Sequence, residues 1–279
     1  MVLNGRALAK KVFLSLREEL DQSESKPGLA VVLIGEDPAS QVYVSRKHKR
    51  AARLGFYQET HRLPVDTSQA DLLSMVDRLN RDERIHGILV QLPLPKHIDS
   101  DRVLEAIAPH KDVDGFHPYN AGLLSQGRGF MIPCTAKGVI ELLKEGDIPL
   151  SGKSAVVIGR SNIVGRPVAQ LLEQNNCTVT VCHSRTQDLP ALLQEADIVV
   201  AAIGRPSYVK AEWLKKGAVV VDVGINRLDD GSLCGDVDYE AATKIASAIT
   251  PVPGGVGPMT IAMLMQNTYL SWKRSQMES

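Results

Sequence analysis

The stretch that decides the fold is "VVIGRSNIVGRPVAQLL", Val156 to Leu172. An apolar run ends at Gly159, a second glycine follows at Gly165, and a helical pattern begins at once. That is the layout of a strand-to-helix turn that holds a phosphate through backbone N–H groups and the positive end of a helix dipole. The dinucleotide fingerprint G-x-G-x-x-G is not met, because Ser161 stands where its middle glycine belongs. Gly159 and Gly165 still allow close backbone approach, and Ser161 offers a hydroxyl in the gap. An ordinary βα turn with glycines for packing fits the same letters.

Working outward, similar runs recur. "LAVVLIG" (29–35), "GILVQLPL" (87–94), "SAVVIG" (154–159), "DIVVAAIG" (197–204) and "GAVVVDVG" (217–224) are nearly continuous in apolar residues. Strands with one face in water alternate apolar and polar, so these read as parallel strands covered on both faces by helices. Helical patterns lie between them. "DPASQVYVSRKHKRAARLG" has Asp37 as a cap, Pro38 in the first turn and Gly55 as a stop, and "TAKGVIELLKEG" runs from Thr135 to Gly146. The fold class is therefore α/β. The series occurs twice, over roughly 28–110 and again from Ser154, which predicts two domains flanking a cleft. The expected division is 1–136 plus 260–279 against a Rossmann-like 137–259, with the last helical pattern, "PMTIAMLMQNTYLSWKR", packing back onto the first domain.

The totals exclude other classes. Over 279 residues, 32 Lys and Arg balance 32 Asp and Glu, which removes the basic footprint of a nucleic-acid binder. No window approaches the roughly 18 apolar residues of a membrane span. The four cysteines, Cys134, Cys177, Cys182 and Cys234, form no C-x-x-C pair and read as reduced thiols of a soluble, cytoplasmic protein.

Three further segments carry chemistry. The strand after the glycine loop ends at "TVCHSRT" (180–186), where a Rossmann domain usually carries an acid for the ribose 2′-hydroxyl. Ser184 and Arg185 stand there instead. Arginine suits a 2′-phosphate and points to NADP, although a solvated loop arginine accounts for it too. In "SQVYVSRKHKR", Ser40, Tyr43 and Lys47 share one helical face. A solvated basic face is one reading. The other is a lysine drawn out of water toward a cleft, where its ammonium form is disfavoured and it can move protons, with Tyr43 offering a ring for stacking. Gln91 ends a buried strand, and Asp112 and Asp114 lie in the Gly-marked turn "KDVDGFHP", for which an Asx turn is a sufficient account. Neither aspartate has metal-ligand spacing with any of the seven histidines, so no metal is expected. "TPVPGGVGPMT" (250–260), with Pro253, Gly254 and Gly255, suits either the approach of a ligand or a plain interdomain crossover.

Taken together, "YVSRKHK", "GILVQLPLP", "KDVDGFHPYN", "PCTAKG", "GRSNIVGRP", "VVDVGIN" and "TPVPGGVGPMT" resemble, in that order, the bifunctional methylenetetrahydrofolate dehydrogenase/methenyltetrahydrofolate cyclohydrolase family. The resemblance spans essentially the whole chain, and its loop carries serine where the general fingerprint has glycine. It implies NADP-dependent oxidation of 5,10-methylenetetrahydrofolate to the methenyl cation, followed by hydrolysis to 10-formyltetrahydrofolate. It implies Lys47 as the acid/base group, Tyr43 stacked on folate, and Gln91 and Asp114 tuning the lysine and holding the pterin. Ser40, Pro253, Gly254 and Gly255 join the substrate side. Gly159, Arg160, Ser161, Ile163, Ser184, Arg185 and Ile225 match NADP-contacting positions, and family members are usually homodimers. One departure is visible: Ala136 replaces a proline in P-C-T-P-K-G, from which a more flexible turn over 133–138 is expected. The competing functions are a monofunctional NADP dehydrogenase of the same architecture and a nucleotide-sensing module without catalysis.

Overall fold

The computed structural model describes residues 1–278, the side chains of Ala39 and Glu278 excepted. The chain forms two compact units, Val12–Cys134 with Ile261–Ser279, and Met1–Lys11 with Thr135–Thr260. The first eleven residues thus group with the second sheet rather than the first. Val2 bridges to Ile249, and the terminal ammonium of Met1 donates to Ser247 O at 2.6 Å.

Helix α1 (Gly5–Asp21) precedes β1 (Gly28–Ile34), α2 (Pro38–Arg53), β2 (Tyr57–Leu63), α3 (Gln69–Arg81) and β3 (Gly87–Val90). The three strands are parallel in the order β2-β1-β3, and a single bridge from Ile88 to Asp112 continues the sheet beyond β3. Every residue of β1 and β3 is buried, as their unbroken apolar runs require. β2 is different: "YQETHRL" is polar and lies at the edge, so no apolar run announced it. Leu72, Val76 and Leu79 give α3 its buried face, packed in one core with Ala30, Val32, Ile88 and Val90.

Helices α4 (Ser100–Ala106) and α5 (Pro118–Ser125) complete the connection to α6 (Cys134–Glu145). Ala136 is fully buried in the first turn of α6. The loosened turn expected over 133–138 is instead a helix start from Cys134 on, where alanine is a strong helix former.

The second unit runs β4 (Ser154–Ile158), α7 (Gly165–Gln174), β5 (Thr178–Cys182), α8 (Leu189–Glu195), β6 (Ile198–Ala201) and β7 (Val219–Asp222). A small antiparallel pair, β8 (Asn226–Arg227) with β9 (Leu233–Cys234), precedes α9 (Tyr239–Ala242), β10 (Ala248–Ile249) and α10 (Val256–Glu278). The parallel sheet has the order β10-β7-β6-β4-β5. Its first strand therefore lies between its second and third, which makes the C-terminal ends of β4 and β6 the topological switch point where ligands of open α/β sheets bind. The first unit has the same feature between β1 and β3. From Ile261 on, α10 packs within the first unit: Asn267 Nδ2 donates to Val113 O and Ile132 O, both at 2.9 Å.

Candidate active site

In the first unit the site is built on α2. Asp37 caps the helix, its carboxylate accepting from Ser40 N at 2.7 Å, and Pro38 fills the first turn. This start sets the phase of the helix and turns Ser40 and Lys47 inward. Lys47 is only 8% exposed and Ser40 5%, whereas Arg46, His48, Lys49 and Arg50 are exposed. The basic run is therefore a solvated face with one member withdrawn from it. Lys47 Nζ donates to Gln91 Oε1 at 3.0 Å. Gln91 is held in turn by its own chain: its Nε2 donates to Leu92 O at 2.7 Å and its backbone N–H to Val32 O at 2.9 Å. Tyr43 is half-buried on the same face, and burial pushes its hydroxyl pKa up, with Arg46 opposing.

The two aspartates of "KDVDGFHP" separate in role. Asp112 is buried and builds the turn, accepting from the N–H groups of Gly115, Phe116 and His117 and from Asn120 Nδ2 over 2.8–3.2 Å. Among the described residues no such set of donors meets the carboxyl of Asp114. Burial pushes its carboxyl up to about 6, the Lys47 charge holds it down in part, and Asp112 adds to the rise. Lys47, Gln91, Tyr43 and Asp114 thus belong to one unit and include a buried ammonium, its amide acceptor and a carboxyl with a displaced pKa. Groups of this kind can hold a heterocycle with ring N–H donors and move a proton beside it.

In the second unit the candidates gather at the C-terminal edge of the sheet. A methyl group on Gly159, whose φ is +116°, would stand 2.2 Å from Ala202 O, and one on Gly165 would stand 2.2 Å from Gly159 O. The glycines let the exits of β4 and β6 and the start of α7 close on one another. Helix α7 has no side-chain cap. Ser161 receives the first helical amides instead, its Oγ accepting from Gly165 N at 3.3 Å and its carbonyl from Arg166 N at 3.1 Å. Among the described residues none accepts a hydrogen bond from the amides of Arg160, Ser161, Asn162, Ile163 or Val164. Loop amides rather than those of the first helical turn are open to an anion, and the Ser161 hydroxyl keeps its proton to donate.

Ser184 and Arg185 are exposed beyond β5, in a turn closed by Arg185 N to His183 Nδ1 at 3.1 Å and His183 N to Thr186 Oγ1 at 2.9 Å. Ile163 and Ile225 are exposed apolar side chains on the exits of β4 and β7. The residues that would hold a dinucleotide fit the group: a bare phosphate loop, an arginine and apolar side chains on one sheet edge. Pro253, Gly254 and Gly255 also fall in this unit, not with Lys47. Gly254 O accepts from Arg6 N at 3.1 Å and Gly255 N donates to Pro251 O at 2.8 Å, so the two glycines shape a turn against the N-terminal segment, while Pro253 is exposed.

Sequence reasoning missed Asp222 and Asp236, 2% and 0% exposed. Asp222 accepts from the N–H groups of Gly224, Asp236 and Val237, yet burial dominates and pushes its carboxyl up to about 6. An aspartate ending an all-valine strand was the available signal. Among the described residues no cluster of His, Cys, Asp and Glu can hold a metal ion, and no helix is long and apolar enough to cross a membrane.

Residues 3–114 match the catalytic domain of the tetrahydrofolate dehydrogenase/cyclohydrolase family, and residues 133–276 match its NAD(P)-binding domain. The chain belongs to this family. It is 55% identical over 276 residues to the Bifunctional protein FolD of Geotalea uraniireducens (strain Rf4), covering 98% of this chain and 99% of that one. The crystal structure of the bifunctional enzyme FolD from Campylobacter jejuni superposes with a TM-score of 0.96 at 48% identity, covering 99% of each chain. The Trypanosoma brucei dehydrogenase-cyclohydrolase, complexed with NADP and an inhibitor, has a TM-score of 0.95 at 43% identity, covering 99% of this chain and 98% of that one. Membership of the family assigns the chain to the bifunctional folate enzymes, and a monofunctional dehydrogenase is not favoured.

Proposed function

We propose that this chain oxidises 5,10-methylenetetrahydrofolate with NADP and hydrolyses the methenyl product to 10-formyltetrahydrofolate. The observation that carries the reading is Lys47, withdrawn from a basic helix face and hydrogen-bonded to Gln91. The unit built on β1–β3 takes the folate. Tyr43 stacks on the pterin, Asp114 accepts from its N–H donors, and Ser40 completes the contacts from α2. The unit built on β4–β7 takes the cofactor, with Gly159, Arg160 and Ser161 at the pyrophosphate, Ser184 and Arg185 at the 2′-phosphate, and Ile163 and Ile225 against the apolar parts.

Bound NADP supplies the acceptor for the hydride that leaves the methylene carbon. A substrate nitrogen lone pair drives that departure, so the protein's contribution to the first step is positioning. The second step needs proton transfer. Water adds to the methenyl carbon, the C–N bond to the ring nitrogen breaks, and one proton is released in all. Lys47 handles these protons, and Gln91 holds its Nζ in place. Cytoplasmic location and a homodimer are part of the same reading. The outer edge of β2 carries no strand partner among the described residues, and Tyr57 at its start is exposed, which supports pairing between copies.

One assay tests the activities: absorbance of methenyltetrahydrofolate, followed with and without NADP. Formation only with NADP, then decay faster than the spontaneous rate, is the expected result. Decay at the spontaneous rate would remove the cyclohydrolase. Sedimentation analysis checks the dimer.

A further inference from the structure

The buried carboxylate of Asp236 is unusually well supplied with donors, and all of them come from the segments that follow β6 and β7. Its Oδ2 accepts from Ile203 N at 2.7 Å and Gly204 N at 3.0 Å. Its Oδ1 accepts from Arg205 N at 2.8 Å and Asn226 Nδ2 at 2.9 Å. Residues 203–205 leave β6, and Asn226 follows the exposed Ile225 beyond β7. Asp236 is itself fixed from below, its N–H donating to Asp222 Oδ1 at 2.9 Å, while Asp222 N donates to Thr250 Oγ1 at 2.7 Å. The packing leaves no room for variation. A methyl group on Gly224 would stand 2.2 Å from Asp236 Oδ1, and one on Gly235 would stand 1.9 Å from Asp222 Oδ2.

We propose that Asp236 is the positioning residue of the cofactor site, setting the exits of β6 and β7 in the geometry that receives the dinucleotide. The inference rests on the NADP reading above. Two observations tie the carboxylate to that site. The segment it holds begins beside Ala202, whose carbonyl abuts Gly159 across the switch point, so any shift of 203–205 is felt by the phosphate loop. In a trans peptide the N–H and C=O point in opposite directions. Drawing three successive N–H groups inward onto Asp236 therefore turns the carbonyls of Ala202, Ile203 and Gly204 away from it. The Ala202 carbonyl is packed on Gly159, and those of Ile203 and Gly204 are acceptors suited to the hydroxyl and carboxamide donors of a dinucleotide. Asp236 acts through this backbone and touches no cofactor atom itself.

The test uses the full-length enzyme and two variants. Asp236→Asn keeps the shape but sets an amide –NH2 against backbone N–H donors. Asn226→Ala leaves both aspartates in place and frees only the β7 exit, so it serves where the first variant fails to fold. The expected result for Asp236→Asn is a KM for NADP at least about tenfold higher, and for Asn226→Ala about threefold higher. The KM for NAD should rise by the same factor, because the effect passes through the backbone and not the 2′-phosphate. Hydrolysis of supplied methenyltetrahydrofolate should stay within about twofold of wild type. Unchanged KM values in folded variants overturn the proposal, and so does a parallel fall in hydrolysis, which marks a merely structural role. A wild-type enzyme that does not use NADP would instead overturn the reading on which the proposal rests.

Discussion

The first strand-to-helix turns of the two units occupy the same place in the same strand order, yet they are built for opposite tasks. After β1 the chain passes Gly35 and meets Asp37, whose carboxylate closes the start of α2 by accepting from Ser40 N. After β4 it passes Gly159 into a loop, residues 160–164, whose amides have no acceptor among the described residues, and α7 starts with no side-chain cap. A helix start already closed by a carboxylate repels anions, whereas an open one attracts them. On the proposed reading, recognition in the first unit falls to side chains farther along the helix, Tyr43 and Lys47, and in the second to the backbone of the loop. A shared topology thus fixes where a ligand binds, and the occupant of the helix start decides what kind of group it presents.

The largest effect expected from breaking this contrast is at Lys47. Lys47→Met keeps the apolar stem and deletes the ammonium, and loss of a general acid/base costs roughly a hundredfold to ten-thousandfold. Hydrolysis of methenyltetrahydrofolate should collapse while NADP binding, followed by fluorescence titration, stays near wild type. Near-normal hydrolysis would return Lys47 to its solvated neighbours.

The two turn glycines give the next comparison. Gly159→Ala places a methyl group 2.2 Å from Ala202 O at a φ of +116°, whereas at Gly35, φ +75°, the nearest atom is a Val65 methyl at 3.5 Å. The first variant should lose about 3 kcal/mol or more and all NADP-dependent oxidation; the second should lose about 1 kcal/mol, the strain of a left-handed conformation. Equal losses in thermal denaturation would show that the second turn is no more tightly built than the first.

Arg185→Ala sharpens the assignment of the β5 exit. A charge-assisted phosphate contact is worth about 1.5–3 kcal/mol, so kcat/KM with NADP should fall about tenfold to a hundredfold while that with NAD changes little. Equal losses with both cofactors would remove Arg185 from the 2′-phosphate.

The smallest effect concerns Asp114, whose carboxyl is raised from 3.8 to about 6 by burial. A carboxyl with a raised folded pKa costs stability when ionised, and the cost fades as pH falls through about 6 and is absent below the unfolded value. Asp114→Asn should therefore melt higher than wild type at pH 8 by about 2–4 °C, with a smaller gain at pH 5. The same group predicts an acid limb near pH 6 in wild-type kcat/KM for folate that the variant lacks. A stability gain independent of pH would place the effect outside this carboxyl.

The fold was largely legible because strands buried on both faces announce themselves as apolar runs, which located β1, β3, β4, β6 and β7. β2 was silent because an edge strand needs no apolar run, and "YQETHRL" has none. The Asp37 cap, the Tyr43 and Lys47 face and the glycine loop were visible as spacings, since helical phase and backbone approach are local properties.

What the sequence determined by itself is the family, through motifs in register along the whole chain, and with it the α/β architecture. Tertiary structure alone decided that Lys47 leaves water, which of Asp112 and Asp114 builds the turn, and that Asp236 grips the exits of β6 and β7. Those three outcomes depend on partners far away in the chain: Gln91 for Lys47, Asn120 for Asp112, and residues 203–205 for Asp236. The burial of a charge and the donors that compensate it are properties of an assembled environment, and no local window of sequence contains both.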